Sequence, residues 1–74
     1  MSERILISYA SDTDVAALDA ALRVAGAASV APIEALPDTL LASVDAGDAD
    51  AFVTRVQTLP GVRHAERDRM RYSS

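Results

Sequence analysis

Two segments with helical spacing of apolar residues alternate with four strand-like segments, and this order constrains the fold of the 74-residue chain most. The predicted helices are 11–26 and 46–61, and the predicted strands are 4–10, 28–36, 39–45 and 62–69. The second strand contains Pro32, which cannot donate a hydrogen bond to a neighbouring strand, so it is predicted to be an edge strand or an irregular one. The predicted order is therefore β-α-β-β-α-β.

This order predicts an α+β fold of the ferredoxin-like type, in which two helices cover one face of a four-stranded antiparallel sheet. The helical crossovers also predict that the first and third strands lie side by side in parallel. Residues 5–7 and 40–41 are all apolar, so they place bulk on both faces of the sheet. The face without helices is therefore expected to be partly apolar and to be an interaction surface. A dimer packed sheet to sheet is an alternative.

Both predicted helices have recognisable end signals. Ser11 or Asp12 can cap the first helix and Gly26 can end it, while Asp48 can cap the second before Pro60-Gly61 ends it. The predicted apolar stripes are Val15, Leu18, Leu22 and Ala25 on the first helix and Phe52, Val53, Val56 and Leu59 on the second. These stripes are expected to face the sheet.

The composition limits both stability and partners. There is no cysteine to form a disulfide and there are only three aromatic residues, so the core is expected to be aliphatic and the free energy of unfolding to be a few kcal/mol. The net charge of −4 argues against nucleic acid as a partner. Residues 1–62 hold three arginines and nine acidic residues, whereas residues 63–74 hold four arginines and two. No segment approaches the roughly 20 apolar residues of a membrane span, which argues against a membrane partner.

The side chains that carry catalysis or bind metals are scarce. His64 is the only histidine, and no nucleophile pattern accompanies it, so the chain is predicted not to be an enzyme. Asp45, Asp48 and Asp50 are spaced like the start of a calcium loop, but no glutamate closes a twelve-residue loop. We expect neither a metal nor a cofactor. A small-molecule site built from backbone groups stays open, because folds of this type also occur in regulatory modules.

The segment 51–74 resembles the end of the inhibitor I9 family, the N-terminal prodomains of subtilisin-like serine proteases and their free-standing relatives. The resemblance rests on a helix followed by Leu59-Pro60-Gly61-Val62 and then by His64-Ala65-Glu66-Arg67-Asp68. The first strand, ILISY, is similar to the first strand of that family, and the β-α-β-β-α-β order extends the likeness over the whole chain.

The resemblance implies a docking role for Glu66 and Asp68. In the family, the open sheet face packs on two surface helices of the protease. Carboxylates two residues apart on one strand face lie roughly 7 Å apart, and each can accept hydrogen bonds from the N-terminal N–H groups of one partner helix. Without the resemblance, a charged edge strand that prevents aggregation is the alternative for these residues.

The resemblance also implies that the C-terminal tail enters the active-site cleft as an added strand. Aligned from the terminus, Ser74 takes the position before the cleaved bond, and the tail residues are Met70, Arg71, Tyr72, Ser73 and Ser74. A free carboxylate at Ser74 would then resemble a bound product. The predicted organisation is an inhibitor domain over 1–69 followed by this tail at 70–74.

The predicted function is inhibition of a subtilisin-like serine protease, with a second role as a folding chaperone. The competing prediction is a ferredoxin-like regulatory or ligand-binding module that dimerises through its sheet. If Met1 is the native start, the absence of a signal peptide predicts a free-standing inhibitor in the cytoplasm. Otherwise the localisation is unknown, as for a fragment of a secreted precursor.

Overall fold

The computed structural model describes residues 1–68, which form one antiparallel sheet and two helices. The elements are β1 Ser2–Tyr9, α1 Val15–Val24, β2 Ser29–Pro32, β3 Thr39–Asp45, a 3-10 turn Ala46–Asp48, α2 Ala49–Val56 and β4 Val62–Arg67. The strands lie in the order β2-β3-β1-β4. The predicted β-α-β-β-α-β order and the ferredoxin-like α+β fold are confirmed.

One prediction about the sheet is wrong: β1 and β3 are neighbours, but they run antiparallel, with Leu6 opposite Leu41. The crossover through α1 makes β1 parallel to β2, which lies two positions away in the sheet, with β3 between them. The chain then reverses between β2 and β3, so β3 enters the gap antiparallel to both neighbours. The parallel relation therefore joins the first strand to the second, which are not hydrogen-bonded to each other.

The core lies between the helices and one face of the sheet. The strands contribute Ile5, Ile7, Leu40, Ala42, Val44 and Ala65, and the helices contribute chiefly Leu18, Leu22, Phe52 and Val56. These side chains are almost completely buried, and Phe52 is the only aromatic residue among them. The predicted stripes are confirmed except at Val15, which is 39% exposed because it occupies the first position of α1.

The helix caps differ from the predicted ones. The segment 11–13 forms a turn, so α1 begins later than expected and Asp14, not Ser11 or Asp12, accepts a hydrogen bond from the N–H of Ala17. Asp48 precedes α2 but makes no side-chain cap, because a 3-10 turn leads into this helix. That turn is capped by Asp45, whose carboxylate accepts from the N–H of Gly47.

Two strands differ from the prediction, β2 in its length and β4 in its register. The predicted edge strand is confirmed in β2, but it ends at Pro32 rather than at residue 36 because turns follow. In β4 the register shifts, so that His64 pairs with Ser8 while Val62 pairs with Tyr9. A bulge of this kind inserts one residue and reverses the side-chain direction beyond it. Strict alternation along the predicted strand 62–69 places Val62 on the same face as His64, and this prediction is wrong, because Val62 packs on the core.

Gly61 is the glycine with the least room for a side chain. Its φ of +89° lies where other residues are strained, and an added Cβ would lie 2.7 Å from Thr13 Oγ1. Its carbonyl also accepts a hydrogen bond from the N–H of Ala10, which joins the end of β1 to the start of β4. We expect Gly61→Ala to lower the free energy of unfolding by about 1–3 kcal/mol, measured by urea denaturation.

Gly47→Ala is the matched control for that substitution. Its φ is not in the left-handed region, and its Cβ would approach only the exposed Asp45 carboxylate at 3.2 Å, which can move away. The control is expected to change the free energy of unfolding by less than about 0.5 kcal/mol. An equal loss in both variants would show that the close approach of Gly61 to Thr13 does not limit stability.

Candidate functional site

The sheet face opposite the helices is the candidate functional site, and we call it the open face. Its central residues are Arg4, Leu6 and Ser8 of β1, Leu41 and Ser43 of β3, and His64, Glu66 and Asp68 at β4. They alternate with the buried residues of the same strands. Within residues 1–68, both helices pack on the other face, so neither covers this one.

The centre of the open face is apolar, and its side chains protrude little from the sheet. Leu6 and Leu41 lie opposite each other on adjacent strands, and both are half-buried. Their neighbours along the strands, Ser8 and Ser43, have short side chains. The expectation of a partly apolar open face is confirmed, and this shallow surface can approach a flat or ridged partner closely.

Glu66 lies on the open face opposite Leu6 of β1. Its side chain is 58% exposed, and its Oε1 lies 3.2 Å from Nε2 of His64, two residues earlier on the same side of β4. One carboxylate oxygen therefore has a partner, while the second makes no side-chain hydrogen bond within residues 1–68 and can accept one from another protein. Both residues of this pair protrude into solvent.

Asp68 lies at the end of the same row of side chains. Its N–H donates to the carbonyl of Arg4 at 2.8 Å, which continues the β1–β4 ladder past the last residue of β4. Its side chain is only 19% exposed, and its Oδ2 lies 3.9 Å from Nε of Arg4. The two carboxylates thus share a face, but they differ in exposure and in their basic partner.

Arg67 lies on the opposite side of β4 and does not belong to the open face. Its guanidinium donates to the Asp50 carboxylate at 2.7 Å and lies 3.8 Å from that of Glu3. The arginine therefore joins α2, β1 and β4. The alternating charges of β4 therefore lie on different sides of the sheet: the acidic side chains lie on the open face, and Arg67 contacts other elements on the opposite side.

The roles of Arg4 and His64 beside the carboxylates were not predicted from the sequence. Arg4 and Asp68 lie at opposite ends of the described chain and meet only through the β1–β4 pairing. His64 carries a weak signal, because residues two apart in a strand share a face. That signal places His64 next to Glu66 but does not show that their side chains touch.

The other residues predicted to bind the protease lie beyond residue 68, the last residue that the structure describes. The tail residues Met70, Arg71, Tyr72, Ser73 and Ser74 lie beyond the described residues, as does Arg69. In residues 1–68, no group of three or more histidine, cysteine or acidic side chains could hold a metal ion. No helix in that part of the chain is long and apolar enough to cross a membrane.

The open face presents groups that suit binding to another protein. It offers two carboxylates as hydrogen-bond acceptors, a central leucine pair and short serine side chains. Carboxylates on a strand complement groups with unpaired N–H donors, above all the first turn of a helix. The geometry therefore suits a protein partner that presents helix N-termini.

Comparison with known proteins defines the class of protein to which this arrangement belongs. Residues 1–68 match the family model for the fervidolysin N-terminal prodomain, a propeptide of the subtilisin type. This match covers most of the chain, and the chain therefore belongs to the fervidolysin N-terminal prodomain-like family. The predicted resemblance to subtilisin propeptides is confirmed. No curated protein and no solved structure matches the chain.

Proposed function

We propose that this chain inhibits a subtilisin-like serine protease by docking its open face on the protease and placing its C-terminal tail in the active-site cleft. The observation that carries the proposal is the match of residues 1–68 to a subtilisin-type prodomain family. The uncovered sheet face, with both carboxylates on it, supports docking through this surface.

Docking follows from the chemistry of helix ends. The first N–H groups of a helix lack partners within the helix and favour negative charge. Glu66 and Asp68 lie on the side of β4 opposite to the buried Ala65. They are two residues apart in the chain, so their side chains lie roughly 7 Å apart. Each carboxylate can cap one of two adjacent partner helices, while Leu6 and Leu41 fill the space between them.

The tail completes the inhibition in this proposal. Residues 70–74 lie extended in the cleft, and main-chain hydrogen bonds to the protease hold them as an added strand. The carboxylate of Ser74 then resembles that of a cleaved product. The inhibitor supplies no catalytic group, and we propose no enzymatic activity, metal or cofactor for it.

A second role as a folding chaperone follows from the same contacts. A domain that binds the folded protease but not the unfolded one stabilises the folded state by mass action. The dimeric regulatory module predicted as an alternative would use the open face to bind a second copy instead. Family membership favours the protease as the partner.

We expect the protein to inhibit a purified subtilisin-like protease competitively when hydrolysis of a small chromogenic peptide is followed. Glu66→Ala with Asp68→Ala is expected to raise the inhibition constant, because two helix caps are lost. By analogy with caps, the two contacts contribute roughly 1–4 kcal/mol together, which corresponds to between about fivefold and several hundredfold.

The matched control is Asp12→Ala with Glu34→Ala, which removes the same charge from two exposed loop positions away from the open face. This control is expected to change the inhibition constant less than about twofold. Equal weakening by both double variants would mean that net charge, not the position of the carboxylates, determines affinity. If the protein inhibits none of several subtilisin-like proteases competitively, the proposed function is contradicted.

A further inference from the structure

We infer that His64 and Arg4 are positioning residues that hold the two docking carboxylates in the orientation that a partner helix requires. This inference rests on the proposed function, because it concerns the same open face. It goes beyond that function by assigning a role to two basic residues that themselves make no proposed contact with the protease.

Two contacts on the open face support this role. Each carboxylate of the open face has a basic partner on the same face, and each contact uses one oxygen: Oε1 of Glu66 with His64, and Oδ2 of Asp68 with Arg4. A carboxylate has two oxygens and about four acceptor positions. The remaining oxygen of each carboxylate can therefore accept from a helix N–H without breaking the existing pair.

The two bases leave the carboxylates next to each other on the open face. The order of side chains along this edge is His64, then Glu66, then Asp68, with Arg4 beside the last. His64 thus precedes the two carboxylates along β4, and Arg4 lies across from Asp68 on β1, so neither base stands between Glu66 and Asp68 in the row. They leave the two acids adjacent to each other, where two neighbouring partner helices can reach them.

Pre-orientation matters more for Glu66 than for most side chains. An exposed glutamate samples many rotamers, and fixing it on binding opposes association. A pair already formed in the free protein reduces that loss. Asp68 has a shorter side chain and is only 19% exposed, so its contact with Arg4 at 3.9 Å has fewer rotamers to restrict.

Two double-mutant cycles test the inference, with inhibition of a subtilisin-like protease as the readout. We expect His64→Ala to raise the inhibition constant about threefold to tenfold in the natural background, and less than about twofold when Glu66 is already alanine. Arg4→Ala is expected to raise the inhibition constant by a similar factor in the natural background, and by less than about twofold when Asp68 is already alanine. His64→Gln and Arg4→Lys keep a donor at each position and should restore part of the affinity.

Arg23→Ala is the matched control. Arg23 is paired with Asp19 on α1, away from the open face, so its removal should leave the inhibition constant within about twofold. Circular dichroism of every variant verifies that the fold is retained. A loss that is the same with and without the neighbouring carboxylate would overturn the inference, because the base would then contact the protease directly.

A gain in affinity on removing either base would overturn the inference as well, because the base would then compete with the partner helix for the carboxylate. Failure of the proposed function looks different. In that case the natural sequence itself gives no competitive inhibition, and the substitutions at Glu66 and Asp68 have nothing to weaken.

Discussion

Removal of residues 70–74 is expected to raise the inhibition constant by at least about a hundredfold while leaving the fold unchanged. The tail is proposed to form several main-chain hydrogen bonds in the cleft, each contributing about 0.5–1.5 kcal/mol, and its side chains fill pockets. The elements described in residues 1–68 do not include the tail, so the sheet and core should form without it.

The truncated protein should still bind the protease through the open face. Isothermal titration calorimetry is expected to detect this binding, while hydrolysis of a small peptide continues because the cleft is empty. A variant with residues 70–74 replaced by five glycine and serine residues is the control for length, and it should inhibit more strongly than the truncated protein. Full inhibition by the truncated protein would contradict insertion of the tail.

The same truncation separates the two functions that the sequence predicted. A regulatory domain that dimerises through its sheet does not need residues 70–74, so its association should be indifferent to their removal. Sedimentation of the full and truncated chains without protease measures this directly. A concentration-dependent dimer that is unchanged by truncation, together with no protease inhibition, would favour the regulatory module.

Phe52→Ala is expected to leave the domain largely unfolded at 25 °C. Within residues 1–68, Phe52 is the only aromatic residue among the buried core side chains and is 1% exposed, so its truncation opens a cavity between α2 and the sheet. Such substitutions lower the free energy of unfolding by about 3–5 kcal/mol. That is as large as the roughly 3–5 kcal/mol that a core of this size supplies.

Thermal unfolding followed by circular dichroism measures this effect. Phe52→Leu is the control, because it keeps most of the apolar volume and should retain a cooperative transition at a lower temperature. An excess of catalytically inactive protease should restore part of the folded population of Phe52→Ala, since binding at a hundredfold above the dissociation constant adds about 2.7 kcal/mol. A loss of less than about 1 kcal/mol would show that the core adapts around the missing ring.

Much of the fold could be predicted from the sequence because its signals are local. The spacing of Leu18 and Leu22 indicates a helix, and the alternation of Leu40, Ala42 and Val44 predicts the buried face of β3, whose bounds Thr39–Asp45 match the prediction. Gly26 ends the first helix with a positive φ, as its type suggests. These signals depend on neighbours a few residues apart.

The candidate site could be predicted only in part. The family motif and the two-residue period place Glu66 and Asp68 on one face of the last strand. The two-residue period of strand 62–69 does not reveal the register shift opposite Ser8 and Tyr9, so strict alternation places Val62 on the wrong face. A bulge depends on how two strands meet, and a single strand carries little signal for it.

By itself, the sequence determined the order of the elements, the composition of the core and the likeness to subtilisin propeptides, because these depend on local period and on a short motif. Only the tertiary structure decided that β3 enters the sheet antiparallel to β1 and that Arg4 meets Asp68. The pairing of the first strand with the last brings distant residues within 4 Å. Register depends on which strand face is buried against the helices, and strand order depends on how the connections cross the sheet, so both require the packed chain.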